Sequence, residues 1–365
     1  MELFVLDSPS IDRLYLDHAA TTPVTAAARA AVAEALSRWA NPSSPHGEGR
    51  AARAALEGAR GRIADSYGWR GEVLLTGGAS ESLALVLNRA QVARRWASAV
   101  EHDALWRAGA PLDTMPVGAD GLIDPATAGH DGLVCVQWCN SETGVRQPIA
   151  AIAAAVHEAG GLLLVDAAQM PAGADAAVID HADFVALSAH KRGGPPGVGA
   201  LLVRDLATLS PSGGQERGYR AGTENLPGVL GYAAALAEAE PLANWTDLRA
   251  MLDDGIRRSG GEVVADGAPR HPAIGSYRMP GVTQTTQLIR FDLGGIAVSA
   301  GSACASGSLK PSHVLRAMGW DGARTREVVR VSFGRETSAA DVERFVTAWR
   351  GIARETRQAT GAFAA

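Results

Sequence analysis

The sequence predicts an α/β protein, a mostly parallel β-sheet covered by helices on both faces. Three observations predict it. Apolar runs of strand length recur at residues 72–76, 133–138, 162–165, 184–187 and 198–203. Ala-rich segments of helical character alternate with most of them, as expected of βαβ units. The composition agrees: 47% of residues are apolar, 20% are charged and only 5% are aromatic, which argues against a disordered chain.

Taken in order, residues 22–40 read as a helix with Pro23 in its first turn, where proline is tolerated. Residues 41–47 form a loop and residues 48–66 a second helix. The strand at 72–76 runs into Gly77-Gly-Ala-Ser80 and a helical pattern from Glu81 to about Arg95. The strand at 133–138 closes in Cys139-Asn-Ser-Glu-Thr-Gly144, and residues 149–160 are helical. Asp166-Ala-Ala-Gln169 follows the strand at 162–165. The next strand stops at Ser188, and His190-Lys191 leads into a Gly- and Pro-rich turn before 198–203 returns as a strand. Residues 226–243 read as one Ala-rich helix leaving this unit. Beyond it the pattern is less regular, with a glycine-rich stretch at 299–307, and no internal repeat is found.

A length of 365 residues suggests about two domains. The net charge is −5 with no long run of one sign, so neither nucleic acid nor an acidic membrane is expected as a partner. No stretch is apolar for long enough to span a bilayer. The start, Met-Glu-Leu-Phe-Val-Leu-Asp, lacks the basic flank and apolar core of a signal peptide. Cys135, Cys139 and Cys304 cannot all pair with one another and show no metal-ligand spacing. A reduced, cytoplasmic location is expected.

Of the 34 Lys and Arg residues only Lys191 and Lys310 are lysine, so Arg serves where charge alone is needed. Lys can lose its proton and form an imine, and Lys191 sits at a strand end, where open α/β sheets bind ligands. A surface cation in a turn is the competing reading. Gly77-Gly-Ala-Ser80, between strand and helix, offers backbone N–H groups to a phosphate, although such turns are common. Asp166, after four apolar residues, suits a protonated ring nitrogen as well as a helix cap. His102 is a candidate ring-stacker and proton carrier, and alone counts for little. Together these are the four handles that a pyridoxal 5'-phosphate site needs. Cys304 lies among small residues with nothing bulky to anchor it in a core, which fits a nucleophile that must travel, or a chance loop cysteine. Cys135 and Cys139 read as core.

The order of motifs resembles cysteine desulfurases of the NifS/IscS type, in the class V aminotransferase group of pyridoxal-phosphate enzymes. The stretches that carry it are Tyr15-Leu-Asp-His-Ala-Ala-Thr-Thr-Pro23, Asn41-Pro-Ser-Ser44 with His46, Thr76-Gly-Gly-Ala-Ser-Glu-Ser82 and Glu101-His102. Asp166-Ala-Ala-Gln169, Ser188-Ala-His-Lys191 and Gly213-Gly-Gln-Glu-Arg-Gly-Tyr-Arg-Ala-Gly-Thr-Glu-Asn225 continue it. Ser299-Ala-Gly-Ser-Ala-Cys304 and Val329-Arg-Val-Ser-Phe-Gly-Arg335 complete it.

The resemblance implies a fold-type I transferase. Its large domain, residues 12–238, would hold a mostly parallel seven-stranded sheet. A smaller C-terminal α+β domain, residues 239–365 with 1–11 packed on it, would carry the cysteine loop. It further implies that Lys191 holds the cofactor as a Schiff base, that Asp166 pairs with the ring nitrogen and that Gln169 contacts the phenolic oxygen. His102 would stack on the ring and move protons, while Ala79, Ser80, Ser188 and His190 hold the phosphate. Ser141 would fall on a cofactor contact, Asn41 and Arg330 on substrate contacts, and Thr223 would reach the phosphate of the other subunit of a homodimer. Cys304 matches the thiol that takes sulfur from L-cysteine, leaving alanine, and passes it to an acceptor protein for iron–sulfur cluster assembly or another sulfur-containing product.

Two positions depart from the family pattern. Ser141 stands where Asn is usual before Glu-x-Gly, and Gly194-Pro-Pro-Gly197 replaces Gly-Pro-Lys-Gly. The competing classes are a lyase or aminotransferase of the same fold that uses no protein thiol, and a non-catalytic cofactor-binding partner protein.

Overall fold

The computed structural model describes residues 13–301 and 311–363, with side chains as far as residue 355. The first strands are β1 (Leu14–Tyr15), β2 (Glu72–Thr76), β3 (Arg95–Ser98) and β4 (Asp113–Met115). Next come β5 (Leu133–Gln137), β6 (Leu162–Asp166), β7 (Phe184–Ser188) and β8 (Gly199–Val203). The chain ends with β9 (Glu262–Val263), β10 (Ile274–Arg278), β11 (Ile296–Ala297) and β12 (Val328–Ser332).

Seven strands form one sheet in the order β2-β8-β7-β6-β5-β3-β4. All pairings are parallel except those of β8, which runs against both β7 and β2. The apolar runs are nearly continuous because both faces are covered. The strand pleat then divides them: Val134 and Val136 pack into the cluster on one face, Leu133 and Cys135 into that on the other. A three-stranded sheet, β12-β10-β9, comes from residues 262–332, and the β1-β11 pair joins residues 14–15 to 296–297. Among the described residues no helix is long and apolar enough to cross a membrane.

The structure corrects several expected boundaries. The first helix is Ala26–Ser37, and Thr25 caps it by accepting from the Ala28 N–H, so Pro23 lies ahead of the helix. The helix after β2 ends at Arg89, which frees Arg95–Ser98 to join the sheet as β3. The single helix expected over 226–243 is two, Leu226–Leu236 and Leu242–Arg258, the second starting directly after Pro241. Proline has no N–H to continue the ladder and restricts the residue before it. Cys139 lies beyond the end of β5, in the loop rather than on the strand, and is buried there.

Candidate active site

Strands β2, β3, β5, β6 and β7 run in one direction, so their carboxyl ends share one edge of the sheet. That edge and Arg330 on β12 enclose a cavity of about 460 Å³. Ala79, Ser80, His102, Ser141, Asp166, Gln169, Ser188, His190, Lys191 and Arg330 all line it. Asn41 and Thr223 do not; both are exposed, and the Asn41 carboxamide accepts from the Ser43 N–H at 2.8 Å. Cys304 lies outside the described residues, three positions beyond Gly301, which lines the cavity.

Lys191 is carried on a single turn between β7 and β8 and donates to the Ala19 carbonyl. Burial, then the Arg330 guanidinium, lowers its pKa to about 7. Asp166 ends β6 in register with Gln137 of β5, and its carboxylate accepts from the Ala168 N–H at 3.0 Å. Burial raises its pKa, although His102 and Lys191 pull the other way. Cation and anion are therefore both displaced toward neutrality: desolvation exceeds their mutual attraction. A cationic ring placed against Asp166 would reverse the shift on that side.

His102 accepts from the Ala104 N–H through Nδ1 at 3.1 Å, which leaves its remaining proton on Nε2. Burial lowers its pKa, so the ring is neutral near pH 7. Its side chain keeps exposed surface and lines the cavity. His190, beside Thr21 Oγ1 at 3.2 Å, is lowered to about 4 by burial and by Lys191.

At the other end of the cavity begins the helix Ala79–Arg89. Its N-cap, Gly78, has φ 142° and no side-chain cap, so the first turn's N–H groups face an opening suited to an anion. Close packing keeps that turn low. A Cβ on Gly199 would lie 2.6 Å from Gly78 Cα and 2.4 Å from the Leu187 carbonyl oxygen.

Asn140, next to Ser141, lines the cavity with its carboxamide engaged by neighbours. Its Oδ1 accepts from Glu142 N, Thr143 N and Thr143 Oγ1, and its Nδ2 donates to the Val100 carbonyl. Ser141 uses its carbonyl to accept from Arg330 Nη1 at 2.9 Å. Three further groups come into view only in three dimensions. Glu101 is buried, accepts from Ser98 Oγ and Gln137 N through Oε1, leaves Oε2 unpartnered, and has its pKa pushed by burial to about 8. His313 lies 2.9 Å from the Glu101 carbonyl, and Asp17 pairs with Arg330 at 2.7 Å. The adjacency of Glu101 to His102, and Asp17's place in the Tyr15–Pro23 stretch, were the available signals.

Pyridoxal phosphate fits these residues. The uncapped helix start would suit a phosphate, Asp166 a ring cation, and Lys191, with its pKa lowered to about 7, an aldehyde. Gln169, whose Nε2 donates to the Ala19 carbonyl at 2.9 Å, has a buried Oε1 with no partner, an opening for a polar neighbour.

Fold and site thus define an α/β protein with a half-buried lysine and a buried carboxylate at adjacent strand ends of one cavity. The aminotransferase class-V family model matches residues 14–345, and the chain belongs to that family. It is 36% identical to the IscS-like cysteine desulfurase of Mycobacterium tuberculosis, over 94% of this chain and 97% of the relative. Identity to the cysteine desulfurase of Cereibacter sphaeroides is also 36%, over 92% and 94% of the two chains. Among solved structures, a NifS-like protein from Rickettsia africae superimposes with a TM-score of 0.83 at 26% identity, covering 93% of this chain and 99% of its own.

Proposed function

We propose that this protein is a pyridoxal-phosphate-dependent cysteine desulfurase, converting L-cysteine to L-alanine and passing the sulfur to Cys304. The observation that carries the reading is one cavity holding Lys191 with its pKa near 7, Asp166, His102 and Arg330. The cofactor, when bound, supplies the electron sink for the pair released at the substrate Cα.

The chain's own residues do the rest. Lys191 is the attachment point and, once released, the base that takes the Cα proton, a task matched to an amine that is half neutral near pH 7. Asp166 holds the ring nitrogen protonated. Gln169 and Ser141 contact the ring's polar edge. The start of the helix at Ala79 and Ser80, with Ser188 and His190, holds the phosphate. His102 covers the ring and carries a proton on Nε2. Arg330 binds the substrate carboxylate, for which a guanidinium fork is suited. Asn41 is a further substrate contact. The Cys304 thiolate attacks the substrate sulfur; the carbon–sulfur bond breaks with its electron pair going to the substrate, a persulfide remains on Cys304, and one proton delivered to Cβ and one returned to Cα complete alanine.

In the same reading the protein is a cytoplasmic homodimer in which Thr223 of each chain reaches the other's phosphate. It hands sulfur to an acceptor protein for cluster assembly or another product. Residues 12–238 form the cofactor-binding domain and 239–365 the smaller one; the break between the helices ending at Leu236 and beginning at Leu242 supports that division.

The test is alanine formation from L-cysteine with a reductant present, comparing the parent with Cys304→Ala. Alanine from the parent alone is the expected result. Equal alanine from both would overturn the nucleophile, and none from a cofactor-loaded parent would overturn the desulfurase reading.

A further inference from the structure

The Arg330 guanidinium does not stand alone in the cavity. Its Nη1 donates to the Ser141 carbonyl at 2.9 Å and its Nη2 to Asp17 Oδ1 at 2.7 Å. Both side chains are largely buried, 7% exposed for Arg330 and 20% for Asp17. A guanidinium has five N–H groups in a rigid plane, so these two bonds fix its orientation and leave one N–H on each terminal nitrogen.

The backbones beneath the pair are fixed too. Asp17 forms a parallel bridge with Ser332, two residues from Arg330, and Ser332 N donates to the Leu16 carbonyl at 2.8 Å. Ala19 N donates to Ser332 Oγ at 2.9 Å. On its other side Arg330 exchanges both backbone hydrogen bonds with Ser299. A carboxylate held this firmly acts as a brace. It also moderates the effect of the guanidinium on Lys191, whose pKa Arg330 lowers and Asp17 raises.

We propose that Asp17 is the positioning residue of the carboxylate clamp, holding Arg330 so that its two free terminal N–H groups meet the substrate α-carboxylate. The inference rests on the reading of Arg330 as that clamp. Asp17 touches neither substrate nor cofactor; it acts through the orientation of the guanidinium. Its loss therefore weakens ligands in proportion to their use of Arg330 and leaves other ligands unaffected.

The experiment compares L-alanine with ethylamine, the same amine without a carboxylate, by visible-absorbance titration of the cofactor-loaded protein. In Asp17→Asn the Kd for L-alanine rises roughly tenfold, the scale of one misdirected charge-assisted hydrogen bond, while that for ethylamine stays within about twofold. The KM for L-cysteine rises with it and kcat changes little. In an Arg330→Ala background the same substitution adds no further loss for L-alanine. A parent that prefers L-alanine and an Asp17→Asn variant that prefers it equally overturn the role of Asp17 alone. Parallel weakening of both ligands also overturns it, as general damage. A parent that binds both ligands alike overturns the clamp and this proposal together. If Asp17→Asn does not fold, Asp17→Glu is measured in the same way, with the same selective loss expected and uniform or absent loss counting against the proposal.

Discussion

Two buried polar regions of this molecule are built on opposite plans. In the cavity at the sheet edge, Lys191 and Asp166 are both pushed toward neutrality, and Glu101 Oε2 and Gln169 Oε1 have no partner. Behind β10 the polar groups are bonded to one another, although Arg249 Nη2 and Arg270 Nη1 are also left without a partner. Tyr277 donates to Asp253 Oδ1 at 2.7 Å, Arg270 to Asp253 Oδ2 at 2.6 Å, and Arg249 to the Tyr277 hydroxyl and the Pro272 carbonyl. The difference lies in what the charges meet: Asp253 has a guanidinium at 2.6 Å, whereas Lys191 meets the Ala19 carbonyl and Asp166 the Ala168 N–H. The ion-paired network contributes to the fold, whereas the cavity, whose lysine and carboxylate are bonded to backbone groups, holds interaction capacity for something the chain does not supply. Charge and burial alone would not have separated them.

The sharpest break of this contrast is Lys191→Ala. Alanine formation falls by roughly 10³-fold or more, on the scale of a lost acid–base group. Borohydride reduction, read by mass spectrometry, attaches the cofactor to the parent and not to the variant, while the thermal midpoint hardly falls. A large fall in midpoint would place Lys191 with the structural network instead. In the parent, cofactor uptake by the apo-protein accelerates as pH rises through about 7, because only the neutral amine attacks an aldehyde. Acceleration only near pH 10 would show an ordinary, solvated lysine.

Asp253→Ala tests the other half. It leaves Arg270 buried at 11% exposure without its nearest carboxylate, a change expected to cost about 3–5 kcal/mol in denaturant unfolding. The folded remainder keeps its cofactor affinity. A loss below about 1 kcal/mol would deny the network its structural role.

Glu101→Gln moves in the opposite direction. Burial raises the Glu101 pKa from an ordinary 4.5 to about 8, so the folded chain favours the neutral acid. That preference is fully expressed below about 4.5 and is lost as pH rises through about 8. Glutamine stays neutral and keeps an acceptor for Ser98 and Gln137. Above pH 8 the variant is therefore more stable than the parent by up to a few kcal/mol, and the two converge in acid. Equal stability at every pH would remove Glu101 from the unsatisfied set. The smallest effect belongs to Arg38→Ala: the Glu34–Arg38 pair is 65% and 79% exposed, and its loss changes unfolding by well under about 1 kcal/mol.

Sequence reading went furthest where one segment carries both the strand and its chemistry. The apolar runs at 162–165 and 184–187 stop at Asp166 and at Ser188, three residues before Lys191, so β5 to β8 and their polar ends were legible. Strand β3 was not, because Arg95-Trp-Ala-Ser98 is short, mixed in polarity and only half-buried over its first two residues. The kink at Pro241 was visible as a proline and was overridden by alanine-rich surroundings on both sides. Asp17 was hidden for a different reason. It is one acid among 39 acidic residues, and its meaning comes from a partner 313 positions away.

That separation orders events during synthesis. Translation runs from the amino end, so His102, Asp166 and Lys191 all leave the ribosome with β8, more than a hundred residues before Arg330. β1 lacks its neighbour β11 until residues 296–297 are made, and Asp17 faces no guanidinium until Arg330 follows. A nascent chain thus holds the groups suited to the cofactor before it can grip an amino acid's carboxylate. Pairing Asp17 with Arg330 comes after the strand ends in building the site.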